Sequence, residues 1–262
     1  MYIIEAHNLN YETSNDILFD NIDVVIEKGS FVSIVGKNGV GKTTLLKLLG
    51  GSIISSNNIK VDNIQVNKFN VEEISRKTSY ISSYNEFFSK TVINEILQDK
   101  KSVSVFEVNK VKKLLDSFNL LYLENMSPQN LSYAENQIVA LIKTIIKKPK
   151  IIILDNAFSK LDEDKRKELF DYVRDYAKKN EITVLYTSTD ISDIKYSDRI
   201  ILIKNRKIKF DGTYDMFISD EINYKDFMRL PWETEVSNKL IMYDLLDRNY
   251  DSIEDIVGAL CK

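Results

Sequence analysis

The sequence predicts an α/β fold, in which a mostly parallel sheet is flanked by helices. An apolar run at residues 31–35 leads through the octapeptide GKNGVGKT at 36–43 into a helical segment at 44–49. A second apolar run, 151–154, is followed by an amphipathic helix and a third apolar run at 182–185. Strand, helix and strand in that order make a β-α-β unit, which places the strands parallel in one sheet.

The first part of the chain is predicted to form an antiparallel strand region. Short strands are predicted at residues 2–5, 22–26 and 31–35, separated by polar turns. After the helix at 44–49, residues 59–66 are predicted to form a hairpin or a strand at the edge of a sheet.

The middle third of the chain is predicted to be helical, from about residue 72 to residue 148. Its clearest apolar helix face contains Val108, Val111, Leu114, Leu115 and Phe118. We therefore predict a helical subdomain at about 83–145, inserted between the strands. Further short strands are predicted at 199–203 and 207–210, followed by a helical end.

Size and charge limit the classes of protein to which the chain can belong. With 262 residues it can bury a large core. The net charge of -3 and a pI of about 5.5 give no electrostatic reason to expect a nucleic-acid partner. The one cysteine, Cys261, allows no intrachain disulfide, and no run of 18 apolar residues occurs. We expect a protein of the cytosol that reaches a membrane only through a partner.

The octapeptide predicts a site for a nucleoside triphosphate. A glycine-rich turn between a strand and a helix leaves backbone N–H groups free to surround a polyphosphate. Lys42 would reach the β and γ phosphates, and the Thr43 hydroxyl would bind Mg²⁺. The predicted nucleotide-binding residues of this loop are Gly36, Lys37, Asn38, Gly39, Val40, Gly41, Lys42, Thr43 and Thr44.

Two further motifs point to the same chemistry. The strand at 151–154 ends in Asp155, at the sheet edge where open α/β folds bind ligands, so Asp155 is a second candidate for holding Mg²⁺. Ser132 and Glu135 form a capping box that opens an amphipathic helix. The free amides at that helix N-terminus can also face a phosphate, and the two interpretations are compatible.

In this order, the motifs resemble those of the ATP-binding cassette (ABC) ATPases along essentially the whole chain. The resemblance implies ATP and Mg²⁺ as cofactors, with two ABC ATPase subunits enclosing two ATP molecules between them. It makes Tyr11 the aromatic residue that stacks on adenine and Asp155 the Walker B aspartate. The signature motif, which binds the partner's ATP, would be Leu131, Ser132, Tyr133, Ala134 and Glu135, and the D-loop would include Ser159, Leu161 and Asp162.

The resemblance also implies a domain division, with an ABC ATPase domain at 1–228 and a helical tail at 229–262. The tail resembles that of the energy-coupling-factor ATPases, where it helps to pair the subunits. Ile253, Ile256, Val257 and Leu260 form one apolar helix face, with Ser252 as N-cap. The alternative is that this face packs within its own chain.

The chain departs from the family at two catalytic positions. Asn156 stands where the family has a glutamate that activates the attacking water, and an amide cannot take a proton near neutral pH. Ser188 stands where the family has a histidine that contacts the γ-phosphate. With Lys42 and Asp155, these two residues form the predicted catalytic set. We expect the chain's own site to hydrolyse ATP weakly.

Smaller departures concern the signature motif and the loop that senses the membrane partner. Tyr133 and Ala134 replace two glycines, and the bulky Tyr133 can obstruct a phosphate near the helix amides. Ile138 replaces a customary arginine, and Ser83 is a loose match for the glutamine of that loop. His7 lies far from every phosphate motif and is interpreted as a packing or surface residue.

Three functions remain open at this point. The first is the ATP-binding subunit of an energy-coupling-factor-like importer, bound to a transmembrane component at the cytoplasmic face of the membrane. The second is a regulatory or structural subunit that holds ATP without turnover, as the Asn156 and Ser188 departures favour. The third is a soluble ABC protein acting on ribosomes or DNA, which the net negative charge and the single cassette disfavour.

Overall fold

The computed structural model describes residues 1–14, 16–54, 58–98, 103–228, 230–250 and 252–261. These residues form two sheets. The first has the strand order β2-β1-β4-β5 and contains β1 (Tyr2–Glu12), β2 (Ile17–Glu27), β4 (Asn58–Val61) and β5 (Ile64–Gln65). The second has the order β10-β9-β3-β8-β7-β6 and contains β3 (Phe31–Val35), β6 (Thr78–Ser82), β7 (Ile151–Asp155), β8 (Thr183–Thr187), β9 (Arg199–Lys204) and β10 (Lys207–Gly212).

The first sheet is antiparallel, as predicted, but its two long strands extend further than the sequence indicated. β1 pairs with β2 from Tyr2 to Glu12, and the register shifts at several points along the pair. Alternating burial continues past the predicted strand ends, with Leu9 and Phe19 fully buried. Since alternate residues of each strand still reach the core, pairing persists to Glu12 and Ile17.

The second sheet is parallel except for β10, which pairs with β9 in the antiparallel sense. All five residues of β3, of β7 and of β8 are buried, because one face of the sheet packs on helices and the other packs on the first sheet and on the helix that follows β3. The carboxyl ends of these three strands lie side by side. That edge carries Gly36, Asp155 and Ser188.

The prediction of a helical pattern from about residue 72 to residue 148 was wrong at β6. Thr78–Ser82 forms the edge strand of the parallel sheet and pairs with β7. It follows the helix α2 (Val71–Lys77) directly, without a glycine or proline to mark the change. A five-residue strand with this composition gives little periodic signal, so its pairing with β7 decides its conformation.

The predicted helical insertion is present. It contains α3 (Val92–Leu97), α4 (Val105–Ser117) and α5 (Tyr133–Lys147), with 3₁₀ turns at Leu121–Leu123 and Pro128–Asn130. Val111 and Leu115 are fully buried on the predicted face of α4. The buried carboxylate of Glu95 on α3 accepts a 2.8 Å bond from the Lys143 ammonium on α5, so an ion pair also joins the two helices.

The remaining helices are α1 (Lys42–Leu49), α6 (Glu163–Asn180), α7 (Ile191–Ile194), α8 (Tyr214–Ile218), α9 (Trp232–Met242) and α10 (Ile253–Leu260), with a 3₁₀ turn at Glu221–Asn223. In the part of the chain that the structure describes, no helix is both long enough and apolar enough to cross a bilayer.

An apolar cluster extends across the predicted domain boundary at 228/229. Met228 and Leu230 are both buried in it, together with Val35 of β3 and Phe217 of α8. The division of the chain into an ATPase domain and a tail therefore stays a prediction. In α10, Ile256 is buried, whereas Ile253, Val257 and Leu260 are 42%, 52% and 44% exposed. Most of the predicted apolar face is thus not covered by the described residues.

Candidate nucleotide-binding site

The loop between β3 and α1 forms a cradle of backbone that only glycine can provide. Gly36 and Gly41 have φ values of +148° and +96°. A Cβ atom at Gly36 would lie 2.5 Å from the Ile203 carbonyl oxygen, and one at Gly41 would lie 2.9 Å from the Phe19 ring. Among the residues that the structure describes, no side chain caps α1, so the amides of its first turn stay available to a ligand.

Lys42 brings a positive charge into this cradle. Its side chain is buried, with the residue only 6% exposed, and its ammonium donates to the carbonyl oxygens of Gly36 at 2.7 Å and Lys37 at 3.0 Å. Burial lowers the pKa of Lys42, while the nearby Asp155 carboxylate opposes that shift. A desolvated cation held by neutral carbonyls favours the arrival of an anion.

A cleft of about 280 Å³ opens above the loop. Its lining residues are Leu18, Asn38, Gly39, Gly41, Lys42, Thr43, Thr44 and Asn156. The structure thus brings Asn156 to the predicted loop residues, although they are more than 100 positions apart in the chain. Leu18 was not predicted. Tyr11 lies on β1, opposite Phe19 of β2, and packs on the core of the antiparallel sheet rather than lining this cleft.

Asp155 is held by two hydroxyl groups from neighbouring strands. Tyr80 of β6 donates to its Oδ2 at 2.5 Å, and Thr187 of β8 donates to its Oδ1 at 3.0 Å. Burial, together with the adjacent carboxylate, raises the pKa of Tyr80, so its phenol remains a donor. Sequence reasoning missed both partners, because the order of strands in the sheet, not a motif, brings them to Asp155.

Asn156 lines the cleft and has an unused acceptor. Its backbone N–H donates to the Thr187 hydroxyl at 2.9 Å, but its buried Oδ1 has no hydrogen-bond partner among the described residues. A buried amide oxygen without a partner is costly unless a water or a ligand satisfies it. The residue has a φ of +49°, a left-handed conformation that asparagine tolerates better than most side chains. The role predicted for Asn156, at the position of the glutamate that activates the attacking water in the family, stays a prediction.

Ser188 is buried, and its hydroxyl is engaged within its own chain. It donates to Asp193 Oδ2 at 2.5 Å and accepts from the Asp190 amide at 3.0 Å. It does not line the cleft above the glycine-rich loop. Its predicted place beside the γ-phosphate stays a prediction, and in this conformation the hydroxyl's one proton is already committed to Asp193.

The Asp193 carboxyl predicts a pH dependence of stability. Burial raises its pKa from 3.8 to about 6, against the opposing effects of Ser188 and Arg166. Above pH 4 the unfolded chain therefore loses this proton before the folded chain does. As the pH rises from 4 to 7, we expect the unfolding free energy of wild type to fall by up to about 3 kcal/mol more than that of Asp193→Asn. Urea unfolding of both proteins across this range would show it, and a constant difference would contradict it.

The predicted signature motif lies at the N-terminus of α5. Ser132 and Glu135 form the predicted capping box, and Tyr122 donates to the Glu135 carboxylate at 2.6 Å. The Tyr133 hydroxyl donates to the Ala157 carbonyl at 2.6 Å, and the Lys160 ammonium lies over its ring. Leu131 and Ala134 pack against the apolar cluster that the helical insertion forms with the parallel sheet and α6. Tyr133 is thus fixed against its own chain, and whether it obstructs a phosphate stays a prediction.

The predicted D-loop residues have structural partners. The Ser159 hydroxyl donates to the Asn156 carbonyl at 2.9 Å, and Leu161 is buried. Asp162 caps α6 by accepting from the Lys165 amide at 2.9 Å. The loop after Asp155 is therefore fixed at both ends, which helps to keep Asn156 at the cleft.

Three other sequence interpretations can be compared with the structure. Near Ser83, it is Asn85 that joins the loop after β6 to α5, because its amide donates to Asn136 Oδ1 and Gln137 Oε1, both at 3.2 Å. Sequence reasoning missed Asn85.

Ile138 is buried in the apolar cluster of the helical insertion, and half-exposed His7 lies near Asp23 at the surface, 3.5 Å away. The role expected for Ser83 stays a prediction.

Comparison with known proteins gives consistent matches. The family model of the ABC transporter matches residues 19–159. The chain is 29% identical to the energy-coupling factor transporter ATP-binding protein EcfA1 of Oenococcus oeni, over 100% of this chain and 98% of that protein. It is 31% identical to EcfA of Pediococcus pentosaceus, over 91% and 89% of the two chains.

A solved structure has the same fold. This is cbiO1 from Clostridium perfringens, described as part of the ABC transporter complex cbiONQ. The TM-score is 0.75 at 23% identity, and the match covers 92% of this chain and 95% of that one. At this identity the likeness supports the fold, including the mixed sheet and the helical insertion.

Proposed function

Since the chain belongs to the ABC transporter family, among the energy-coupling factor transporter ATP-binding proteins, we propose that it binds Mg-ATP as a subunit of a membrane importer. The observation that carries this proposal is the cradle above α1. There, buried Lys42 and the backbone amides of the loop lie at one cleft, which Asn156 also lines. This arrangement fits a polyphosphate, which needs donors and positive charge together.

The residues present also fit Mg²⁺. Thr43 offers an exposed hydroxyl beside the cleft, and the Asp155 carboxylate lies close enough to Lys42 to affect its pKa. Hydroxyl and carboxylate oxygens are the hard ligands that Mg²⁺ prefers. When bound, the ion would neutralise part of the phosphate charge. Thr43 and Asp155 would hold it, while Lys42 and the loop amides would orient the phosphates.

The proposal includes a second ABC ATPase subunit. Ser132 and the first turn of α5 would bind the ATP held by the partner's glycine-rich loop, since an N-terminus of a helix attracts phosphate. The exposed Ile253, Val257 and Leu260 of α10 would contribute to that pairing. ATP-driven closure of the dimer would then act on a transmembrane component, which places the chain at the cytoplasmic face of the membrane.

Purification of the native membrane complex through a tag on the full chain tests the importer function. We expect a second ATP-binding subunit and a polytopic membrane protein to co-purify, with phosphate release that falls when Lys42 is replaced by alanine. The same membranes carrying the tag on an unrelated cytosolic protein provide the control. If no membrane protein co-purifies, the importer function is wrong, even if the chain binds ATP.

A second candidate is a subunit that holds ATP without hydrolysing it. The engagement of the Ser188 hydroxyl by Asp193 favours it, as does an amide in place of a general base at Asn156. In this alternative the complex would hydrolyse ATP only at a site on the partner's P-loop. Unchanged phosphate release by a Lys42→Ala complex would support it over the first candidate.

A further inference from the structure

We propose that Tyr80 is a positioning residue for Asp155, which it holds in the orientation that suits Mg²⁺. The inference rests on the proposed function, because it concerns the cation that accompanies ATP. It adds a residue outside the sequence motifs to the site, and it assigns to that residue an effect on the choice of cation.

The strand order produces the contact. β7, which ends in Asp155, lies between β6 and β8 in the parallel sheet. Tyr80 of β6 donates to one carboxylate oxygen, and Thr187 of β8 donates to the other. Rotation of the carboxylate about its Cβ–Cγ bond would break both hydrogen bonds together. The Asp155 side chain is therefore fixed from two sides in a place where the residue is only 7% exposed.

Both donors are neutral, and this has an electrostatic consequence. A lysine or arginine in the place of Tyr80 would also orient the carboxylate, but it would cancel the negative charge. Hydroxyl donors orient Asp155 and leave it with its full charge. The carboxylate therefore continues to attract a cation. It attracts the Lys42 ammonium in the same way and thereby favours the charged form of that lysine. Each oxygen retains a second lone pair for a metal ion or for a water bound to one.

Orientation affects the two common divalent cations differently. Mg²⁺ demands near-ideal octahedral geometry, while Ca²⁺ accepts variable ligand numbers and angles. Groups that orient a metal ligand typically change metal affinity by about 10- to 100-fold when they are removed. Loss of the Tyr80 hydroxyl is thus expected to raise the Mg²⁺ concentration needed for nucleotide binding more than the Ca²⁺ concentration.

The test is a divalent-cation titration of the full-length chain with a fluorescent ATP analogue, for wild type and Tyr80→Phe. We expect Tyr80→Phe to need about tenfold more Mg²⁺ for half-maximal binding and to change its Ca²⁺ requirement by less than about threefold. Binding of the analogue without divalent cation should stay the same. Thr187→Val, which removes the second hydroxyl, should show the same loss of Mg²⁺ preference.

The control is Tyr172→Phe, because Tyr172 is a half-buried tyrosine that packs on Phe118 in another part of the fold. It should leave both titrations unchanged. An equal change for Mg²⁺ and Ca²⁺ in Tyr80→Phe would overturn the proposal, as would a lower Mg²⁺ requirement. In an Asp155→Asn background, a further tenfold effect of Tyr80→Phe would overturn it too, since the phenol would not then act through Asp155. If wild type bound no analogue in either cation, the proposed function itself would fail.

Discussion

Lys42→Ala is expected to weaken binding of Mg-ATP to the full-length chain by at least about 100-fold, which corresponds to about 2.7 kcal/mol. The lysine is buried in the cradle, and its ammonium is held only by the carbonyl oxygens of Gly36 and Lys37 among the hydrogen bonds found in the described residues. Removing it takes the charge-assisted bonds to the phosphates away, and it leaves the phosphates facing desolvated backbone. Equilibrium binding of a fluorescent ATP analogue measures the loss.

The effect on the nucleotide-free protein should be small. Burial opposes the charge on Lys42, as its lowered pKa indicates, so its removal takes away a desolvation cost as well as two hydrogen bonds. We expect the thermal unfolding temperature without ATP to stay near that of wild type, and the increase on adding Mg-ATP to disappear. Lys47→Ala is the matched control, because Lys47 lies in the last turn of the same helix, away from the cleft. An affinity loss of less than about threefold for Lys42→Ala would contradict the assignment of the cradle to phosphates.

The sequence predicts best those parts of the site whose functional residues lie next to one another in the chain. The glycine-rich loop and Lys42 lie within one octapeptide, and Asp155 ends an unmistakably apolar strand. In these segments local conformation fixes the geometry, because a strand that turns directly into a helix must present its amides at the turn. The parallel sheet and the helical insertion followed from the same local patterns.

Other contacts depend on the order of strands, which the local patterns do not contain. Tyr80 reaches Asp155 because β6 pairs with β7, and β6 itself was missed in a region that resembles a helix. The Tyr133 hydroxyl donates to the Ala157 carbonyl, 24 positions along the chain, and no local pattern indicates this contact. The position of a side chain that contacts a distant segment is determined only once the fold brings the segments together.

Asn156→Glu is expected to raise ATP turnover at this chain's own site by about 100-fold or more. Asn156 lines the cleft with Lys42 and Thr43, and its amide oxygen has no hydrogen-bond partner among the described residues. A carboxylate at this position can accept the proton of an attacking water, which the amide cannot do near neutral pH. Glutamate in a left-handed conformation should also cost about 1 kcal/mol of folding stability, measurable by urea unfolding.

Asn156→Gln separates the chemical effect from the steric one. The glutamine side chain has the length of glutamate and meets the same backbone strain at this position, but it supplies no base. Phosphate release should be measured in the purified native complex, with the rate of the Lys42→Ala complex subtracted as the contribution of any partner site. We expect the remaining rate to rise for Asn156→Glu and to stay at the wild-type value for Asn156→Gln.

A failure of Asn156→Glu would point to the second departure at the site. The Ser188 hydroxyl donates its proton to Asp193, so in this conformation it has no proton left for a γ-phosphate, and Asn156→Glu combined with Ser188→His would then be needed. If the double variant also released phosphate at the wild-type rate while binding Mg-ATP normally, the absence of these two groups would not be what limits hydrolysis at this site. The defect would then lie where this site meets the partner's signature motif, outside the residues of this chain.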